Sequence, residues 1–412
     1  MLALICGGIL ARNVDSLFAL SGPELEKARR LMEILTASMA LSLLSTVFNC
    51  VMSAREQFLF QQLLQFLQSV LNPFLTLPLL LMGCGSVGMV LVSFVLTAGR
   101  FLWGAWYCIR RLGMRFSFRN IRLSLLAEIG AFTFFIFLNQ IVDQINWSLD
   151  KVLLGRFAGT AAVAVYGVGS QLHSMYLNFS VAVSAMFVPQ VNRLVASGAP
   201  MSVLDGLFAR VGRIQFLILM LLLTGFGFFG QSFLALWSGP EYARAYPVAL
   251  VLMLAVSVDL IQNIGIEIQR AMNRHQARSV VYACIACGNV LISIPLIRHY
   301  GVVGAAVGTA IALVLGTVVF MNWYYHCRLH LDMFRFWGQI GRILPSLLLP
   351  LAAGFWLHRD FPIRSWGDFV TAAAVYSLVY GASVWAFGMN SSEKSLITGI
   401  FHRLFRPSAG KK

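Results

Sequence analysis

Ser21-Gly22-Pro23-Glu24 recurs 217 residues later as Ser238-Gly239-Pro240-Glu241. Each copy follows an apolar run and leads within a few residues to an Ala-Arg pair, Ala28-Arg29 and Ala243-Arg244. The parallel continues outward. Asn72 and Pro78 are echoed by Asn289 and Pro295, and Gly85 and Gly88 by Gly301 and Gly304, with one residue of slippage. Three landmark groups in one order at nearly one offset mark an internal repeat of about 200 residues. In an apolar chain such a repeat implies a transporter built from two similar halves.

Composition supports a membrane setting. Of 412 residues, 58% are hydrophobic and 11% charged, whereas soluble domains carry about 25% charged residues. Apolar stretches long enough to span lie near 30–53, 63–82, 86–108, 125–149, 161–189, 213–237, 246–268, 279–297, 301–325, 342–358 and 368–388. Residues 1–20 read as the tail of another. The stretches are too long for barrel strands and do not alternate. The expected fold is therefore all-α, a polytopic transmembrane helix bundle.

The net charge of +15 raises the question of nucleic acid. Its distribution answers it. On alternate loops, one side of the membrane holds 20 Lys and Arg and the other 10. That is the positive-inside bias, so the basicity is a topology signal and calls for no nucleic-acid partner. The loop 110–122 carries five arginines and no acid, which places it on the cytoplasmic side.

The repeat also predicts domain organisation. Residues 125–326 read as a six-helix lobe closed at each end by a basic loop. Shifted back by the repeat offset, residues 1–109 read as an incomplete first lobe lacking about two and a half N-terminal helices. Residues 110–124 form a basic cytoplasmic linker. Residues 327–412 supply two extra helices and a basic tail. An even number of spans per lobe makes the halves parallel, not inverted.

Ionisable groups inside a membrane cost about 2.5–3.5 kcal/mol each at mid-helix, so each needs a reason. The span near 125–149 carries Asn139, Asp143, Asn146 and Asp150 within about a 60° arc, counted at 100° per residue. The span near 246–268 carries Asp259, Asn263, Glu267 and Arg270 within about an 80° arc. A polar stripe cannot face lipid. Two readings follow: a hydrated cavity, with Asp150, Lys151 and Arg156 at its mouth, or structural pairing of Glu267 with Arg270 and of Lys151 with Asp150 or Asp143. His173 lies among Ser170, Gln171, Ser174 and Asn178. It is either a packing histidine or a proton carrier. Arg100, with Trp103, Trp106 and Tyr107 after it, either snorkels to the interface or binds an anionic head group. Pro73, Pro78 and Pro295 should kink their helices.

Several chemistries lack a motif. There is no GxxxxGK[ST] loop, no H-E-x-x-H and no usable Ser/His/Asp set. Cys284-x-x-Cys287 sits in an apolar helix, where small packing residues are expected in preference to a metal or redox pair. Neither enzyme activity, nor a cofactor, nor a metal site is expected.

Asp150-Lys151-Val152-Leu153-Leu154-Gly155-Arg156, followed by Gly159 and Val165-Tyr166-Gly167, resembles the start of the second lobe in polysaccharide flippases of the multidrug/oligosaccharidyl-lipid/polysaccharide exporter superfamily, O-antigen type. Pro189, the Gly239-Pro240-Glu241-Tyr242 turn, Arg270-Ala271-Met272-Asn273-Arg274 and Tyr300-Gly301 through Gly304 are similar to that family too. The resemblance implies two six-helix lobes around a central cavity, often with two further helices. It implies transport of a polyprenyl-pyrophosphate-linked oligosaccharide across the bacterial inner membrane, with Lys151, Arg156 and Arg100 as candidates for the pyrophosphate. Membrane lipids, a polysaccharide polymerase and chain-length machinery are the implied partners. A cation-coupled multidrug exporter and a peptidoglycan-precursor flippase are the rival functions.

Overall fold

The computed structural model describes residues 8, 22–55, 57–83, 85–114, 130, 133, 144, 148–272, 276–390 and 393–395. Among the described residues every regular element is helical. Seven helices are long and apolar enough to cross a membrane, or nine if each of two bent pairs counts as one span. The chain is thus a multi-pass membrane protein. It divides into two compact units, Met1–Phe132 and Thr133–Lys412.

In the first unit, α1 (Gly22–Ala54), α2 (Phe58–Leu81) and α3 (Gly85–Arg110) pack together, α1 most closely on α3. A small core of Phe48, Met52 and Cys108 joins those two helices. Both α2 prolines, Pro73 and Pro78, are held within one continuous helix.

The second unit begins with a helical stretch over 148–157. It continues as α4 (Thr160–Ala185), α5 (Val188–Ala196), α6 (Met201–Trp237), α7 (Ala245–Ile261), α8 (Asn263–Ala271) and α9 (Gln276–Leu313). A π-helical turn, Val314–Phe320, leads to α10 (Met321–Cys327). The last elements are α11 (Met333–Gly341), α12 (Leu348–Asp360) and α13 (Trp366–Ser383). α7 touches α4, α6 and α9. Its buried residues, from Ala245 and Val248 through Ser257 and Ile261, cover about two-thirds of its circumference and leave Leu254 exposed, the pattern of an element packed on several sides.

Two spans are bent. α4 and α5 meet at 43° around Met186–Phe187; Pro189, in the first turn of α5, has no N–H to continue the preceding helix. α7 and α8 also meet at 43°, at Gln262. No proline lies there. Instead Ser180 Oγ donates to the Leu260 carbonyl at 3.0 Å, and Gln262 Nε2 donates to Asn322 Oδ1 at 2.8 Å. Side chains from neighbouring helices take over backbone and side-chain groups at the break.

Gly301 has φ 59° inside α9, a value L side chains avoid. There the chain reverses. Gly304 abuts Leu296, Gly308 abuts Ser293 and Gly316 abuts Ile285, so the two limbs run antiparallel. Gly85, the repeat partner of Gly301, has φ 55° and joins α2 to α3. The shared glycines of the two halves make the same helical hairpin.

The C-terminal helices are fastened to α6. Arg213 Nε and Nη2 donate to the two Glu393 carboxylate oxygens at 2.6 and 3.0 Å, and the guanidinium also reaches the carbonyls of Gln339 and Gly388. Arg213 is buried by these partners; α6 begins twelve residues before the apolar stretch.

Candidate functional site

The second unit encloses one polar pocket of about 220 Å³, lined by Ser148, Asp150, Lys151, Tyr166, Ser170, His173, Ser174, Leu177, Leu252 and Thr309. α4 contributes half of it. Tyr166, Ser170, His173, Ser174 and Leu177 lie at steps of four, three, one and three, which keeps them on one side of the helix. The stretch 148–157 supplies the carboxylate and the lysine, α7 supplies Leu252, and the second limb of α9 supplies Thr309.

Asp150 is the centre. It is 2% exposed. Tyr166 Oη donates to its Oδ2 at 2.6 Å and Thr309 Oγ1 to the same oxygen at 2.5 Å. Asn289 Nδ2 lies 3.5 Å from Oδ1. Asn289 is held in turn by Ser293, whose Oγ donates to Asn289 Oδ1 at 2.6 Å. A carboxylate removed from water is tolerated when donors surround it. The network joins the 148–157 stretch, α4 and both limbs of α9.

This corrects two expectations. Asp150, expected at the cavity mouth with Lys151 and Arg156, is buried, while Lys151 and Arg156 are exposed. Lys151 does not pair with Asp150. Neighbours in sequence on a helix point about 100° apart and cannot face each other. Lys151 instead borders the same pocket from its outer edge. Asp143 and Asn146 lie outside the described residues. His173, 2% exposed, does line the pocket.

The second expected stripe is interrupted by a bend. The bend at Gln262 separates Asp259 on α7 from Asn263 and Glu267 on α8. Asp259 Oδ2 accepts from Tyr282 Oη at 3.2 Å. Asn263 Nδ2 lies 3.4 Å from Ser180 Oγ. Glu267 pairs with Arg270 at 2.8 Å, as the i, i+3 spacing predicts. None of the three lines the Asp150 pocket. The three lie on two helices that meet at 43°, not along one straight helix.

Arg100 lies in the first unit. It is the sixteenth of the 26 residues of α3 and half-buried, and its Nη1 donates to Gln68 Oε1 at 3.2 Å. Cys284 and Cys287 are both free and exposed. Among the described residues no three His, Cys, Asp or Glu side chains gather as a metal set.

Tyr166, Asn289 and Thr309 were not selected from sequence as site residues. Tyr166 was visible only as part of a motif and Asn289 only as a repeat landmark. A landmark that is polar inside an apolar span is the signal that marks Asn289.

Bent and hairpin helices pack round the central α7 in a polytopic helix bundle. Comparison with solved structures agrees on the fold: the lipid II flippase MurJ in an inward closed conformation matches with a TM-score of 0.73 at 14% identity, over 98% of this chain and 81% of that one. The chain belongs to the polysaccharide biosynthesis protein family, whose model matches residues 19–247. Two curated relatives come from Haloferax volcanii. The probable flippase AglR is 23% identical over 177 residues, 42% of this chain and 37% of its own length. The probable low-salt glycan biosynthesis flippase Agl15 is 22% identical over 179 residues, 42% of this chain and 36% of its own. The matched stretch thus spans little more than a third of either relative.

Proposed function

We propose that this chain is a transporter, not an enzyme, that turns a polyprenyl-pyrophosphate-linked oligosaccharide from the inner to the outer leaflet of the plasma membrane, in bacteria for O-antigen, capsule or exopolysaccharide assembly. The observation that carries the reading is the pocket of hydroxyls, a histidine and a buried carboxylate inside an apolar bundle. The polar head of such a lipid cannot cross about 30 Å of hydrocarbon unaided. Side chains that both donate and accept match sugar hydroxyls. At about 220 Å³ the pocket is smaller than a typical site for a drug-sized ligand, so it takes one sugar-sized group at a time. The relatives' glycan and flippase names support the same substrate class. Asp143, Asn146, Asp150, Lys151, Arg156, Asp259, Asn263, Glu267, Arg100 and His173 remain the residues proposed for the path. Asp150, Lys151 and His173 have the strongest support. Polymerase and chain-length machinery are the proposed partners.

The test is reconstitution of the full-length protein in vesicles with a fluorescent lipid-linked oligosaccharide, scored by access of an impermeant quencher. Translocation that is lost in Thr309→Val and Ser174→Ala at unchanged protein level is expected. Head groups that stay in the inner leaflet with the wild-type protein would reject the reading. Lipid II in the same assay decides the peptidoglycan-precursor alternative.

One observation favours a second reading, cation-coupled drug export. Asp150, Asn289 and Thr309 bring hard oxygen donors together, the kind a proton or a monovalent cation takes. Ethidium efflux that follows a sodium or proton gradient and stops in Asp150→Asn would select it.

A further inference from the structure

The hairpin that begins with α9 carries an apolar groove that shares no residue with the Asp150 pocket. The groove holds about 320 Å³. Ile285 and Gly316 line it where the two limbs touch. On the first limb its lining runs from Val281 to Ile292, and on the second Leu315 and Phe320 face it. Leu315 is 58% exposed and Cys284, also in the lining, is exposed, so the groove is open along its length. Gly288 lies within it, and a side chain added there meets nothing within 4 Å. The second wall coincides with the π-helical turn Val314–Phe320, a widened geometry that recurs at functional sites.

The hairpin fold does not demand this space. The repeat offset of 217 residues before the hairpin turn and 216 after it pairs Gly288 with Leu71 and Gly316 with Arg100. The first hairpin has bulk at both places, and its second limb, α3, is α-helical throughout. The second hairpin has two glycines and a π turn instead. Size then selects the occupant. The eleven steps from Val281 to Ile292 rise about 16 Å, half of a hydrocarbon core about 30 Å thick and so the depth of one leaflet. Spread over that length, the volume has a cross-section of about 20 Å², which one unbranched hydrocarbon chain fills. A helix, about 10–12 Å across with its side chains, does not fit. The methyl branches of a prenyl chain make it wider than an acyl chain. Beyond Phe320 the second limb carries Trp323, with ring centroids 5.5 Å apart, then Tyr324, and ends at Arg328. Amphipathic aromatics followed by an arginine mark the head-group level.

We propose that the groove between the two limbs of this hairpin is a binding site for one phospholipid of the inner leaflet, with an acyl chain between Gly288 and Leu315 and the phosphate at Arg328. The site depends on the multi-pass fold and not on the transport reading above. Among its described lining residues no side chain is charged and Cys284 is the single polar one, so the chain part recognises hydrocarbon alone. A guanidinium offers the phosphate paired N–H donors. The lipid also has a place in the packing. Asn289 follows Gly288 directly, and Thr309 stands one turn before Ala312, which lines the groove. A chain lying there supports the two limbs that hold Asn289 and Thr309 against Asp150.

The experiment uses the full-length protein in a sterol-based detergent, whose rigid rings do not enter so narrow a groove. Native mass spectrometry after addition of dioleoylphosphatidylglycerol should show one retained phospholipid per chain. Gly288→Leu copies the first hairpin's own residue and fills the groove; it should keep normal folded yield and lower the lipid-bound fraction at least five-fold. If Gly288→Leu lowers yield, Leu315→Trp, at an exposed position, closes the groove from its open side and should give the same loss. Retention by the folded variant equal to that of wild type overturns the site. The native cysteines give a second readout. With all other cysteines replaced by serine, Cys284 should react with N-ethylmaleimide at least five-fold more slowly once the phospholipid is added. Cys287, exposed on the same limb but outside the lining, should not change. Equal slowing at both cysteines means a general lipid coat and overturns the site. Slowing by a polyprenyl phosphate but not by the phospholipid makes it a prenyl site and overturns the proposal as well. Arg328→Gln should weaken retention several-fold, and unchanged retention overturns the phospholipid as occupant.

Discussion

Asp150→Ala removes the acceptor of three donors at once: Tyr166 Oη, Thr309 Oγ1 and Asn289 Nδ2. Each buried donor left without a partner costs about 1–3 kcal/mol. The three do not suffer equally. Thr309 Oγ1 also lies 3.2 Å from Asn289 Oδ1 and can turn to it. The Asn289 contact, at 3.5 Å, is weak to begin with. Tyr166, 4% exposed, also has the Thr309 hydroxyl within reach. Three partial losses together give about 2–4 kcal/mol. Asp150→Asn keeps an oxygen for Tyr166 and Thr309 and should cost about half as much. The assay is thermal unfolding of purified protein in detergent, followed by the survival of monodisperse protein on size exclusion. At roughly 2 °C per kcal/mol for a unit of this size, Asp150→Ala should melt about 4–8 °C below wild type, with Asp150→Asn between them. A variant as stable as wild type, or an Asn variant worse than Ala, would refute the network as an anchor of the second unit.

Breaking the Arg213–Glu393 pair should cost about 3–5 kcal/mol in either single variant, because a buried charge is left alone. Arg213→Met combined with Glu393→Met should recover most of that loss in the same melting assay. Gly301→Val should lower folded yield sharply, since a β-branched residue resists φ 59°, whereas Gly227→Ala, with open space around it, should leave yield unchanged. A cysteine at Leu112 in a cysteine-free chain should be labelled in intact cells only by a membrane-crossing reagent; labelling by an impermeant one rejects the assigned orientation.

The all-helical, multi-pass fold was readable from the chain because lipid imposes a strong and local rule: about 20 apolar residues for each crossing. The hairpins were readable as well. Gly85 and Gly301 recur because a positive φ admits little else, and a backbone requirement leaves its mark at one position. The pairing of Glu267 with Arg270 followed from spacing on one helix turn. What the sequence could not supply was which polar groups meet across helices. Asp150 and Lys151 are adjacent in the chain, yet one is buried among Tyr166, Thr309 and Asn289, and the other faces outward. Asp259 and Glu267 share an arc when counted along one helix, but the bend at Gln262 puts them on two. Periodicity carries information only while the helix continues. A break produced by Ser180 and Asn322, from 80 residues upstream and 60 downstream of it, is decided by tertiary contacts alone.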